Sequence, residues 1–144
     1  MSRDRFKKST LVEMWWQECV VAGSQVIYLT PDERLEYFEQ GHMKMWPEAR
    51  FAPERPGWYR DVSSRVLFQS WRTWAVISAP WYIEQVTKAG FMLMFHRVAK
   101  DQVDKRRVVS IQGARAQSVR FLPLDEEKEE AARNPSSWVA GVSW

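Results

Sequence analysis

Between Ser64 and Arg107 the chain runs for 44 residues with one proline, Pro80, as its only strong helix breaker. A straight helix of that length would measure about 66 Å, far more than a chain of 144 residues needs across its own body. The stretch therefore predicts two helices meeting at Pro80, or one long helix bent there, with apolar surface left over for another molecule.

Its first half is amphipathic. Leu67, Trp71, Trp74 and Ser78 recur at helical spacing, while Arg65 and Arg72 fall on another face. From Thr73 to Ile83 there is no charge at all. That run is too short for a bilayer, which asks for about 20 apolar residues, so a simple transmembrane helix is not expected. Pro80 suits the first position of a second helix, with Ser78 or Ala79 as the cap. Trp81, Tyr82, Val86, Ala89, Met92 and Leu93 would line its apolar side. The pairs Glu84–Lys88, Arg97–Asp101 and Asp101–Lys105, each four apart, would mark a wet face. Gly90 inside this helix costs about 1 kcal/mol relative to alanine, which a close backbone approach would offset.

Upstream, Thr10-Leu11-Val12-Glu13 reads as a capping box opening a helix that Gly23 stops. Thr30-Pro31-Asp32-Glu33 is the strongest local signal: threonine cap, proline at the first helical position and glutamate three on. Its short helix is expected to turn Leu35 and Phe38 inward and to end at Gly41. Three prolines and Gly57 between His42 and Asp61 exclude helix and central strand. Met43, Met45, Trp46, Phe51, Trp58 and Tyr59 are interleaved there, so this reads as an extended arm clamped across its own helices or a neighbour. Val108–Ile111 and Ser118–Leu122 flank Gln112-Gly113-Ala114-Arg115 as a small hairpin, marginal unless it packs on the helix or joins another sheet.

The expected fold is mainly α. It comprises a basic arm (1–9), N-terminal helices (10–41), the proline/aromatic arm (42–61), a long Pro-kinked helix pair (62–107), a small C-terminal β-hairpin (108–122), and an acidic helix and tail (123–144). This length suits a single domain. With 45% hydrophobic and 27% charged residues, wholesale disorder is excluded. Cys19 is the single cysteine, so no intrachain disulfide or thiolate zinc cluster can form. The N-terminus lacks a secretory pattern, and its basic residues read as a solvated tail rather than a targeting arm.

Charge is uneven along the chain. Residues 60–122 hold eleven Lys or Arg against four Asp or Glu, and 123–144 hold two against five. A basic middle followed by an acidic tail points to an anionic partner, with the tail as screen or second contact. Catalytic equipment is sparse. His42 and His96 belong to no metal-binding motif, no glycine-rich phosphate cradle is present, and no Ser/His/Asp spacing stands out. No cofactor and no metal are expected.

Nine tryptophans point instead to interfaces, with protein or with lipid headgroups. The expected function is a non-catalytic accessory subunit of a large assembly. It would be intracellular and membrane-associated at a surface, as in a mitochondrial inner-membrane energy-converting complex. Trp46, Trp58, Trp71, Trp74, Trp81, Phe91, Met94, Phe95, Trp138 and Trp144 would meet other protein subunits. Arg65, Arg72, Lys105, Arg106, Arg107 and Arg115 would meet an anionic surface. A nucleic-acid-binding or ribosomal protein is the first alternative, with Lys105, Arg106, Arg107, Arg115 and Arg120 on phosphates and tryptophans as stacking platforms. Asp101 and Asp104 interrupt that cluster and a net charge of +3 is weak for it. A phage or bacterial interaction protein or virion component is the other alternative.

Overall fold

A computed structural model describes residues 8–81 and 86–124. Their elements run α1 (Lys8–Ala22), α2 (Pro31–Gln40), β1 (Met43–Lys44), β2 (Asp61–Ser63), α3 (Ser64–Ser78), α4 (Lys88–Val98), β3 (Val103–Ile111) and β4 (Ala114–Phe121). The strands form one four-stranded sheet in the order β1-β2-β4-β3, antiparallel throughout. The fold is therefore mixed α/β and not mainly α with a small hairpin. Of the expected acidic helix and tail (123–144), everything from Asp125 on, including Trp138 and Trp144, lies outside the described residues, as do Tyr82 and the Glu84 of the expected Glu84–Lys88 pair.

The long kinked helix is replaced by two separate helices and a strand. Ala79 takes φ −151°, ψ 59°, because a residue before proline is driven out of the helical region. Pro80 thus ends α3 instead of starting its successor. The second helix opens eight residues later, where the Thr87 side chain accepts the Gly90 N–H at 3.1 Å. Gly90 serves this cap, and among the described residues a Cβ there would meet only the Thr87 hydroxyl, with no foreign backbone within 4 Å. Beyond Val98 the chain turns. Asp101 lies in that turn and Lys105 on β3, so their helical pairing does not exist.

β3 begins at Val103, and Lys105, Arg106 and Arg107 are strand residues. The hairpin turn is Gln112-Gly113, with φ of 51° and 82° and Ile111 facing Ala114 across it. Two consecutive left-handed residues match the twist of the flanking strands. The hairpin is completed by β2, which the proline-rich arm delivers to β4 with Val62 opposite Val119. Proline density there left room for two short strands, one at each end of the arm. Between them the arm lies on its own helices and sheet: Trp58 Nε1 donates to the Leu122 carbonyl at 2.8 Å, and Tyr59 is sealed.

Three local readings divide. The Thr30 capping box is complete, with both reciprocal hydrogen bonds, and Gly41 ends α2 at φ 90°. By contrast α1 starts at Lys8 and places Thr10 inside the helix. α2 buries Arg34 while Leu35 is partly exposed. Arg34 donates to the carbonyls of Val26, Leu29 and Glu54, tying the link after α1 to the arm.

The core sits between the helices and the sheet. Trp15 and Trp16 on α1 meet Phe91 and Phe95 on α4, and the Trp16 ring lies 5.0 Å from Phe95, 5.6 Å from Phe121 and 5.7 Å from Trp58. Ring pairs of this kind contribute about 0.5–1.5 kcal/mol each beyond their burial. Most of the aromatic surface that looked surplus in a long helix is consumed here.

Candidate anion-binding cleft

β4 outruns β2. The last register pair of their ladder is Ser63 with Ser118, so Ala114–Gln117 have no partner strand on that side. The gap is bounded by the first turns of α3 and α4, and it forms a hollow of about 550 Å³ lined by His42, Ser63, Ser64, Arg65, Lys88, Arg115 and Gln117 among others. A second hollow of about 490 Å³ adjoins it, sharing Ala89, Met92 and Gln117, and runs between α4 and the hairpin past Leu93, His96, Arg106, Arg107 and Val108.

Both helices are positioned by side-chain caps. Ser63 Oγ accepts the Val66 N–H at 3.3 Å, and Thr87 does the same for α4. The positive ends of two helix dipoles therefore meet at the first hollow. Neither helix has an acidic residue in its first turn. Instead α3 carries Arg65 as its second residue and α4 opens on Lys88, each cation at the end where it costs helix stability, about 0.3–1 kcal/mol.

The hairpin supplies the opposite wall. Ser110 faces Arg115 and Arg106 faces Val119 in the ladder, so side-chain alternation puts Arg106 and Arg115 on one face, about 13 Å apart along the strands. Lys105 and Arg107 belong to the other face, where Asp61 gathers charge: Arg60 and Arg120 reach it at 2.8 and 3.0 Å and Arg107 at 3.7 Å. Among the described residues Arg65, Lys88, Arg106 and Arg115 have no carboxylate within 4.0 Å, and neither hollow is lined by Asp or Glu.

Two histidines complete the lining. His42 Nδ1 lies 2.8 Å from Ser63 Oγ. That oxygen also accepts the Val66 N–H, and its second lone pair or its own proton serves His42 Nδ1 according to the imidazole tautomer. Burial lowers the His42 pKa and Arg65 lowers it further; burial and then Arg106 do the same to His96. Ser63 is sealed and its oxygen serves the cap.

The chain matches no known protein family, no curated protein and no solved structure. The chemistry of the cleft therefore has to speak for itself.

Of the residues expected from the sequence at an anionic surface, the structure brings Arg65, Arg106 and Arg115 to the cleft, while Arg107 borders the second hollow with its guanidinium turned to Asp61 on the other face. Arg72 stands apart on α3, its guanidinium 5.6 Å from the centre of the Phe68 ring, and Lys105 lies across the hairpin. Of those expected at protein contacts, Trp58, Trp71, Trp74, Phe91 and Phe95 are buried in the chain's own core. Trp46 and Met94 are half-buried and Trp81 is exposed. Lys88, His42 and His96 were missed as lining residues. Thr87, a capping residue directly before Lys88, was the available signal for a helix start there. No three His, Cys, Asp or Glu side chains gather to hold a metal ion, and no helix is long and apolar enough to cross a membrane, among the described residues.

Proposed function

We propose that this protein is a non-catalytic nucleic-acid-binding subunit, gripping phosphates in the cleft between α4 and the β3–β4 hairpin. One observation carries the reading: two helix N-termini, each bearing a cation where an acid would be favourable, point into a hollow whose far wall is Arg115. Uncompensated positive charge concentrated in a concave site is matched by an anion that can enter it, and a phosphodiester chain presents such anions in series.

The test is titration of a fluorescent oligonucleotide by anisotropy. With Arg65, Lys88, Arg106 and Arg115 each neutralising a phosphate, log K should fall against log salt with a slope of about −3 between about 50 and about 200 mM. Arg65→Glu combined with Arg115→Glu should abolish binding while the circular dichroism stays that of the parent. Binding that ignores salt, or survives the double reversal, would overturn the proposal.

A second reading, the accessory subunit, is favoured by one patch. Val76 and Ile77 are 56% and 76% exposed near the end of α3, beside Arg72. Such a knob supports docking on another protein subunit. Val76→Ser with Ile77→Ser should then shrink the natively purified assembly on gel filtration without changing oligonucleotide affinity. Attachment to lipid headgroups, as at the mitochondrial inner membrane, is the version that alkaline carbonate release tests: peripheral protein comes off with its patch intact.

A further inference from the structure

The two hollows of the cleft differ in chemistry. The first is polar and cationic. The second has an apolar floor of Met92 and Val119, and its lips are Leu93 on α4 and Val108 on β3, 64% and 58% exposed. Two of the most exposed apolar side chains among the described residues thus belong to one concavity, and Arg106 and Arg107 border it. Leaving both lips in water is unfavourable, and a planar, weakly polar group would cover them. Arg106 lines this hollow and has no carboxylate partner among the described residues, so its guanidinium is available beside that group as a stacking plane and as a contact for its phosphate.

We infer that the second hollow holds an unpaired nucleobase, so that the ligand is a single strand with its phosphates on Arg65, Lys88 and Arg115. This rests on the reading of the cleft as a nucleic-acid site and narrows it. A duplex could offer phosphates to the first hollow, but its bases are stacked inside and out of reach of Leu93 and Val108. An acidic peptide would satisfy the cations and leave the apolar lips uncovered.

The experiment compares four labelled probes of equal charge on the full chain: an oligothymidylate of about twelve nucleotides, the same backbone with abasic sites throughout, a duplex, and a glutamate-rich peptide. The intact strand should bind about tenfold tighter than the abasic strand and the duplex. Leu93→Ser with Val108→Ser, both at exposed positions, should remove that advantage and leave abasic binding unchanged. If intact strand, abasic strand and duplex bind alike, the base pocket is overturned and the phosphate cleft stands. If the double variant binds the intact strand as tightly as the parent does, the base lies elsewhere and the inference also fails. Binding of the peptide alone would overturn both readings in favour of an acidic protein partner.

Discussion

Arg120 and Asp61 face each other across the β2–β4 ladder, and Arg120 Nε donates to Asp61 Oδ1 at 3.0 Å. Arg60 holds the other carboxylate oxygen and Arg107 reaches in from β3, so one buried acid joins β2, β4 and β3. Burial alone would raise the Asp61 pKa; the hydrogen bonds from Arg120 and Arg60 overrule it and hold it below the ordinary 3.8. A depressed folded value stabilises fully above the ordinary pKa and ceases to do so as pH falls through the folded one. Asp61→Asn should therefore cost about 2 kcal/mol at neutral pH, less than a fully buried pair would because the arginines keep partial access to water. Urea melts of parent and variant should converge as the pH falls below 3.8 and through the depressed folded value. Equal stability at neutral pH would show that the cluster holds nothing together.

Arg34 makes a second such tie, with backbone carbonyls instead of a carboxylate. Replacing it by methionine keeps the stem and leaves the Leu29 and Glu54 oxygens without this donor, while the Val26 oxygen keeps only the Leu29 N–H. The expected loss is about 2–3 kcal/mol in a denaturant titration. Lysine should not restore it, because a point charge cannot replace a fork that serves separated acceptors.

Gln112 sits at φ 51° in the hairpin turn, a conformation that costs most L-residues about 1–2 kcal/mol and asparagine less. Gln112→Asn should stabilise the protein by about 0.5 kcal/mol, read as a raised melting temperature. A fall would show that the glutamine side chain has a role of its own at the cleft.

The cleft histidines predict a pH dependence with opposite signs for binding and folding. Both values are lowered, by burial first and by Arg65 or Arg106 second. An anion in the cleft offsets that repulsion, so oligonucleotide affinity should rise as pH falls from about 7.5 to about 5.5. His42→Gln should blunt the rise. The ligand-free protein should instead lose stability over the acid part of that range, because below 6.5 the unfolded chain binds more protons than the folded one. A flat affinity profile would separate the histidines from the anion site.

How much of this was legible depended on whether the deciding interaction was local. The Thr30 box and the Gly41 stop are made between near neighbours, and both stand as read. The hairpin was found where Gln112-Gly113 demands it, but its length was not. Asp101 through Arg107 satisfied a helical charge pattern equally well, and what makes Val103–Arg107 a strand is pairing with Ser118–Phe121. Arg65 and Arg115 were legible in the sequence as cations and no more. That they face one hollow, and that Lys88 joins them, followed from where Pro80 and Thr87 broke the helices.

By itself the sequence determined part of the punctuation of the chain: the Thr30 cap, the Gly41 stop and the Gln112-Gly113 turn, and that the middle is basic and rich in rings. Backbone sterics and side-chain caps act over a few residues, so they need no knowledge of the fold. Only the tertiary structure decided where the rings go and which cations remain unbalanced. Trp71 and Phe95 look like interface residues until α1 and the sheet cover them. Arg120 looks like a phosphate contact until Asp61, 59 residues away, takes it. Burial and charge compensation are set by neighbours in space, and those are distant along the chain.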